Sequence, residues 1–125
     1  MKFLVIDDSS TMRRIIKNTI MRLGHKKEDI FEAEDGEIGL ELFKSKEEGF
    51  FDAIFTDINM PNLDGYGVIK GIREIDEDIP IVTISTEGGK AEVIKALKLG
   101  STNYIVKPFT PQVLKEKLKA ILGED

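Results

Sequence analysis

The sequence predicts an α/β fold, an open and doubly wound parallel sheet of five strands with five helices covering its two faces. Three observations predict it. Short apolar runs alternate with amphipathic segments five times along the 125 residues. The connections between them are a few residues long, as in sheets built from strand–helix units. The least ordinary polar residues fall at the carboxyl ends of the apolar runs, where open sheets of this kind form their sites.

Each element has a local reason. Residues 3–6, 53–55, 81–84 and 104–106 are short and rich in β-branched or aromatic side chains, and all four read as strands buried on both faces. Residues 29–34 alternate apolar and acidic and read as a weaker edge strand. Met12, Ile15, Ile16, Ile20 and Leu23 share one helical face behind N-cap candidates Ser9 and Ser10. A second helix over 36–47 is weakened by Gly39. Val68, Ile72 and Ile75 recur at helical spacing after Asp64, a cap candidate, and Gly65, which reads as relieving a turn. Val93, Ala96 and Leu97 do the same before Gly100, a natural stop. Thr110 and Pro111 open the last helix, whose buried stripe is Leu114, Leu118, Ile121 and Leu122. Five such units fit the flavodoxin-like strand order 2-1-3-4-5, an order borrowed from known sheets of this layout rather than derived from the residues.

Composition sets the bounds. The length fits one domain. No apolar run approaches the ~20 residues of a membrane span, and the short apolar start before Asp7-Asp8 lacks a cleavage site for a signal peptide. Cysteine is absent, which removes disulfides and thiolate zinc sites and suits a cytoplasmic location. A formal net charge of −5 argues against nucleic-acid binding.

The rim residues carry the chemistry. Asp7 and Asp8 end strand 1, Thr56-Asp57 ends strand 3, Ser85 and Thr86 end strand 4, and Lys107 ends strand 5. With strands 1 and 3 adjacent, Asp7, Asp8 and Asp57 converge. Like charges so close oppose ionisation unless a hard cation joins them, and an oxygen-only set favours Mg²⁺, with Mn²⁺ able to substitute. Asp8 and Ser9 taken singly would read as helix caps; three acids together read as a metal site. Lys107 stands opposite them, able to pair with a carboxylate or hold a phosphate. Of Thr83, Ser85 and Thr86, alternation lets only some face the rim, and Gly88-Gly89 gives the following loop freedom to move. A carboxylate nucleophile, a divalent ion, a lysine and a hydroxyl are the parts that phosphoryl transfer requires.

Three motifs then carry a resemblance that runs along the whole chain: Asp7-Asp8 after the first strand, Asp57-Ile58-Asn59-Met60-Pro61-Asn62-Leu63-Asp64-Gly65, and Lys107-Pro108-Phe109. In order and spacing they resemble the response-regulator receiver domains, and most closely the single-domain members that serve chemotaxis. The resemblance implies a single receiver domain over residues 1–125, with no effector domain. It implies that Asp57 accepts a phosphoryl group from a sensor histidine kinase, and that Asp7, Asp8, Asp57 and the backbone carbonyl of Asn59 hold Mg²⁺. By the same resemblance Lys107 binds the phosphoryl group, Ser85 is the switch hydroxyl and Tyr104 is an aromatic that turns inward on activation. Asn59 and Glu87 fall where the family tunes dephosphorylation. Ser85 departs from the usual threonine and lacks its methyl group and stiff χ1.

The expected function is a phosphorylation-dependent switch of a two-component system, not an enzyme beyond its own phosphorylation and dephosphorylation. Its expected partners are the kinase, the flagellar motor switch protein and a phosphatase, with no membrane or nucleic acid, and the chain is expected to act as a monomer. The alternatives are a phosphate sink or shuttle and a receiver cut from a larger regulator. A dehalogenase-type phosphatase fits less well, because it places D-x-D after strand 1.

Overall fold

The computed structural model describes residues 1–123. Five strands and five main helices alternate: β1 (Phe3–Ile6), α1 (Ser10–Arg22), β2 (Ile30–Ala33), α2 (Gly36–Ser45), β3 (Ala53–Thr56), α3 (Gly65–Arg73), β4 (Ile81–Ser85), α4 (Lys90–Leu99), β5 (Asn103–Val106) and α5 (Pro111–Ile121). All pairings are parallel, in the order β2-β1-β3-β4-β5.

Alternation along the strands divides the core in two. Phe3, Val5, Phe55, Val82 and Ile84 face α1 and α5, where they meet Ile16, Ile20, Leu114 and Leu118. Leu4, Ile6, Ile54 and Ile81 face α2, α3 and α4, where they meet Val68, Ile69, Ile72 and Ala96. Four helices begin on a side-chain cap. Ser9 accepts from the Met12 N–H at 3.2 Å, Asp35 from Ile38 at 2.8 Å, Asp64 from Gly67 at 2.9 Å and Thr110 from Val113 at 3.2 Å. Helix α4 begins on Gly89 with no side-chain cap and stops at Gly100, whose φ of +119° is left-handed.

Several expectations need correction. β5 is not buried on both faces: it is the sheet edge, and Asn103 and Val106 are exposed. Ile75 lies exposed beyond α3, while Ile69 takes the buried place. Leu97 is exposed too, because α4 is held to the protein chiefly through Ala96. Ser9 rather than Asp8 or Ser10 caps α1. Helix α2 ends at Ser45. Gly39 does not weaken that helix by accident. A Cβ there would stand 2.5 Å from Ile6 Cδ1, so its absence lets α2 lie close on β1. Gly39→Ala is expected to lower the stability by a net ~1–2 kcal/mol and the urea midpoint with it, since overpacking against buried Ile6 outweighs the gain in helix propensity. A higher midpoint would contradict this packing.

Candidate functional site

Strand register builds the rim. Ile6 pairs with Thr56 on one side and with Ala33 on the other. The ladder then continues one residue further, with Asp57 N–H donating to the Ile6 carbonyl and Asp7 N–H to the Ala33 carbonyl, each at 3.1 Å. Asp7 and Asp57 are therefore fixed side by side at the carboxyl end of adjacent strands. Asp8 follows on the turn into α1 and is exposed. One carboxylate oxygen from each of the three lies within 4.8 Å of the others.

Lys107 directly follows β5, and its peptide bond to Pro108 is cis. Its Nζ donates to Asp7 Oδ2 at 3.1 Å and to Asp57 Oδ2 at 3.0 Å. The remaining oxygens of those two acids take backbone donors: Asp7 Oδ1 accepts from Ser9 N–H at 2.9 Å, and Asp57 Oδ1 from Ile58 N–H at 2.6 Å. Arg13 reaches back from α1 to the Asp7 carbonyl at 2.6 Å and so holds that turn.

The charge does not balance. Three carboxylates face one ammonium, which leaves two negative charges in a partly buried notch. Burial is the largest influence on Asp7 and pushes its carboxyl pKa up from 3.8, against the Ser9 N–H and Lys107. A carboxyl raised by folding favours the native state below pH 3.8, and that stability is lost as pH climbs through the folded value. Near neutral pH, ionised Asp7 therefore strains the cation-free protein. Asp7→Asn is expected to raise the unfolding midpoint in EDTA near neutral pH, to flatten its fall with pH, and to abolish the rise on adding Mg²⁺. An unchanged response to Mg²⁺ would contradict the convergence. The donor set suits that ion: it is all oxygen, carries excess negative charge and has neither sulfur nor imidazole.

Ser85 and Tyr104 form a second group beside the first. Ser85 is fully buried, and its Oγ accepts from Glu87 N–H at 3.1 Å. Tyr104 is half-buried against the core that α2, α3 and α4 cover, and its hydroxyl donates to the Glu87 carbonyl. Burial raises the Tyr104 phenol pKa, and a hydrogen bond from Ser85 opposes that rise. Lys107 N–H donates to the Ser85 carbonyl at 2.8 Å, while no hydrogen bond joins the Ser85 hydroxyl to the side chain of Asp57 or Lys107 among the described residues. Thr83 points away from the rim and bonds Ser101 at 2.8 Å. Asn59 Nδ2 donates to Glu87 at 2.8 Å across the mouth.

Sequence reasoning missed two features of the site. Gly65 does not relieve a turn, since its φ is not positive; a Cβ there would stand 2.0 Å from the Asp57 carbonyl oxygen. Asn62 takes φ +69° and bonds Asp35 at 2.8 Å. An asparagine before a Leu-Asp-Gly turn is a local signal for a left-handed residue, but nothing local points to Asp35.

The family model of the response regulator receiver domain matches residues 3–119. The chain belongs to the response-regulator receiver family. Among curated relatives, this receiver is 57% identical to a chemotaxis protein CheY homolog of Campylobacter jejuni over 98% of this chain and 93% of that protein. It is 56% identical to chemotaxis protein CheY1 of Helicobacter pylori over 98% of each. Among solved structures it superposes on the CheX-CheY-BeF3-Mg²⁺ complex from Borrelia burgdorferi with a TM-score of 0.88 at 26% identity, covering 97% of this chain and 88% of that one. The receiver is therefore a homologue of the CheY chemotaxis response regulators, with their five-stranded parallel sheet. Among the described residues, no helix is long and apolar enough to cross a membrane.

Proposed function

We propose that this receiver is a cytoplasmic phosphorylation switch in which Asp57 takes a phosphoryl group from a phosphohistidine of a sensor kinase. The observation that carries the reading is the convergence of Asp7, Asp8 and Asp57 within 4.8 Å, with Lys107 bonded to two of them. Asp7, Asp8, Asp57 and the Asn59 backbone carbonyl are the residues that would hold Mg²⁺. When bound, that ion supplies charge neutralisation for the phosphoryl oxygens.

The chain's own groups do the rest. A lone pair of Asp57 Oδ2 forms the new O–P bond as the P–N bond breaks, and the electron pair stays with the departing imidazole. Ile58 N–H holds the other oxygen, so the carboxylate is aimed rather than free to rotate. Lys107 stands 3.0 Å from the attacking oxygen and meets the incoming charge with an ammonium. The phosphoryl group adds negative charge at the rim. Ser85 Oγ is a donor able to turn toward it, and at present it accepts from Glu87 N–H. Such a turn would change the bonds that seat the segment leading into α4, including the Tyr104 contact with the Glu87 carbonyl.

The output face is then α4, β5 and α5, including Lys90, Tyr104 and Lys117. Exposed Ile94, Leu97, Val106 and Val113 give it apolar contact area. The partner that fits the chemotaxis homology is the flagellar motor switch protein, with a phosphatase to end the signal. The receiver acts as a monomer and turns over no substrate but its own phosphate. Retention by immobilised motor switch protein is expected to rise with phosphodonor for the wild type and not for Asp57→Asn; equal retention would contradict this output.

Incubation with acetyl phosphate and Mg²⁺, followed by mapping of the modified residue by mass spectrometry, tests the acceptor. One phosphoryl group on the peptide containing Asp57 is expected, and none in EDTA. Modification elsewhere would overturn the assignment.

A further inference from the structure

The loop that carries the acceptor runs from Asp57 to Asp64, and its base is closed by Gly65 N–H donating to the Ile58 carbonyl at 2.8 Å. Its middle is held by side chains from two sides. Asn59 is tied to Glu87 on the segment that leads into α4. Asn62 is tied to Asp35 at the start of α2.

The second tie is unlike a surface hydrogen bond. Asp35 is only 6% exposed, and both of its oxygens are committed: Oδ1 caps α2 through Ile38 N–H, and Oδ2 accepts from Asn62 Nδ2, each at 2.8 Å. Asn62 has φ +69°, and Leu63 N–H closes a three-residue turn across it onto the Pro61 carbonyl at 2.8 Å. A turn of that shape is uncommon and persists where its surroundings hold it. Helix α2 also presses on the loop directly, since a Cβ on Gly36 would stand 2.0 Å from the Leu63 carbonyl oxygen. The conformation of the acceptor loop is therefore imposed from α2, through a carboxylate that lies outside the acidic cluster.

We infer that Asp35 is a positioning residue for the cation: by gripping Asn62 it fixes the loop from which the Asn59 carbonyl completes the ligand set. The inference rests on the Mg²⁺ reading above. Groups that orient ligands from outside the coordination shell cost metal affinity when removed. A loop released at Asn62 would have to be ordered each time the cation binds, at an entropic cost.

The test is Mg²⁺ binding to the unphosphorylated full chain by calorimetry, with thermal unfolding in EDTA alongside. Asn62→Gly keeps the positive φ accessible and leaves the α2 cap intact while removing the grip, and is expected to weaken Mg²⁺ binding about tenfold. Asp35→Ser keeps an oxygen that can cap α2 but is too short to reach Asn62, and is expected to weaken it similarly. The decisive variant combines Asp35→Asn with Asn62→Asp. The new amide at position 35 still accepts Ile38 N–H through its oxygen, and donates through its nitrogen to the new carboxylate at position 62. The hydrogen bond returns with donor and acceptor exchanged, and affinity is expected to recover to within about twofold of the parent.

A merely structural contact would lower the melting temperature and leave Mg²⁺ affinity alone. Single variants that bind Mg²⁺ as tightly as the parent therefore overturn the inference, whatever their melting temperatures. An exchange variant as weak as the singles overturns it as well. A parent that binds no Mg²⁺ takes down the metal reading itself, and this inference with it.

Discussion

Lys107→Met is expected to destabilise the Mg²⁺-free protein by about 3 kcal/mol, the cost of removing one partner from a buried ion pair, and the Mg²⁺-bound protein far less. Lys107 bonds Asp7 and Asp57 at 3.1 and 3.0 Å, and the three side chains are 11%, 1% and 11% exposed. Water therefore offers little relief when the ammonium is removed. Methionine keeps most of the stem volume, so the loss is electrostatic rather than a cavity. A divalent ion held by the same carboxylates replaces the missing charge. Urea unfolding in EDTA and in Mg²⁺ reads both values. An equal loss in the two buffers would mean that lysine and cation do not share these acids. Phosphoryl uptake should be slowed in this variant even with saturating Mg²⁺, because the phosphoryl oxygens lose their ammonium.

The second large effect is expected from Gly65→Ala. The added Cβ would stand 2.0 Å from the Asp57 carbonyl oxygen, 2.8 Å from Ile58 Cα and 2.9 Å from the Asp57 carbonyl carbon. All three are backbone atoms of the acceptor segment, so relief requires moving the acceptor itself. A loss of about 3 kcal/mol, at the upper end for overpacking, is expected together with slowed phosphorylation of the molecules that remain folded. Gly67→Ala is the control. Its Cβ crowds only side-chain atoms of Leu63, which can swing aside, while Asp64 Oδ1 at 3.6 Å is in ordinary contact, and a mild loss with normal phosphorylation is expected. Normal phosphorylation of Gly65→Ala would show that the acceptor tolerates the shift.

Most of the fold was legible because its signals are local. Phe3–Ile6, the Ser9 and Thr110 caps and the Gly100 stop each follow from a few neighbouring residues. The strand order was a different matter. CheY is itself a standard example of the 2-1-3-4-5 layout, so agreement there is not an independent derivation. What stayed hidden depends on position in the assembled sheet. The run 104–106 looks like a central strand, and its exposure follows from its place at the edge. Leu97 fits a helical stripe but lies over a face that α4 leaves open. The site divides the same way. Asp7, Asp8, Asp57 and Lys107 could be read because strand ends announce themselves, and the structure brings them together. The grip of Asp35 on Asn62 joins segments that no periodicity connects. Gly65 matters for a close approach across the loop, not for its own dihedrals.

The central claim is that one carboxylate, on the third strand, receives the phosphoryl group beside a divalent cation. Crystals grown with Mg²⁺ and beryllofluoride test it most directly. The expected density is a fluoroberyllate on an Asp57 oxygen within reach of Lys107, with the cation touching Asp7, Asp8 and the Asn59 carbonyl. A bare Asp57 with the cation bound elsewhere would contradict it.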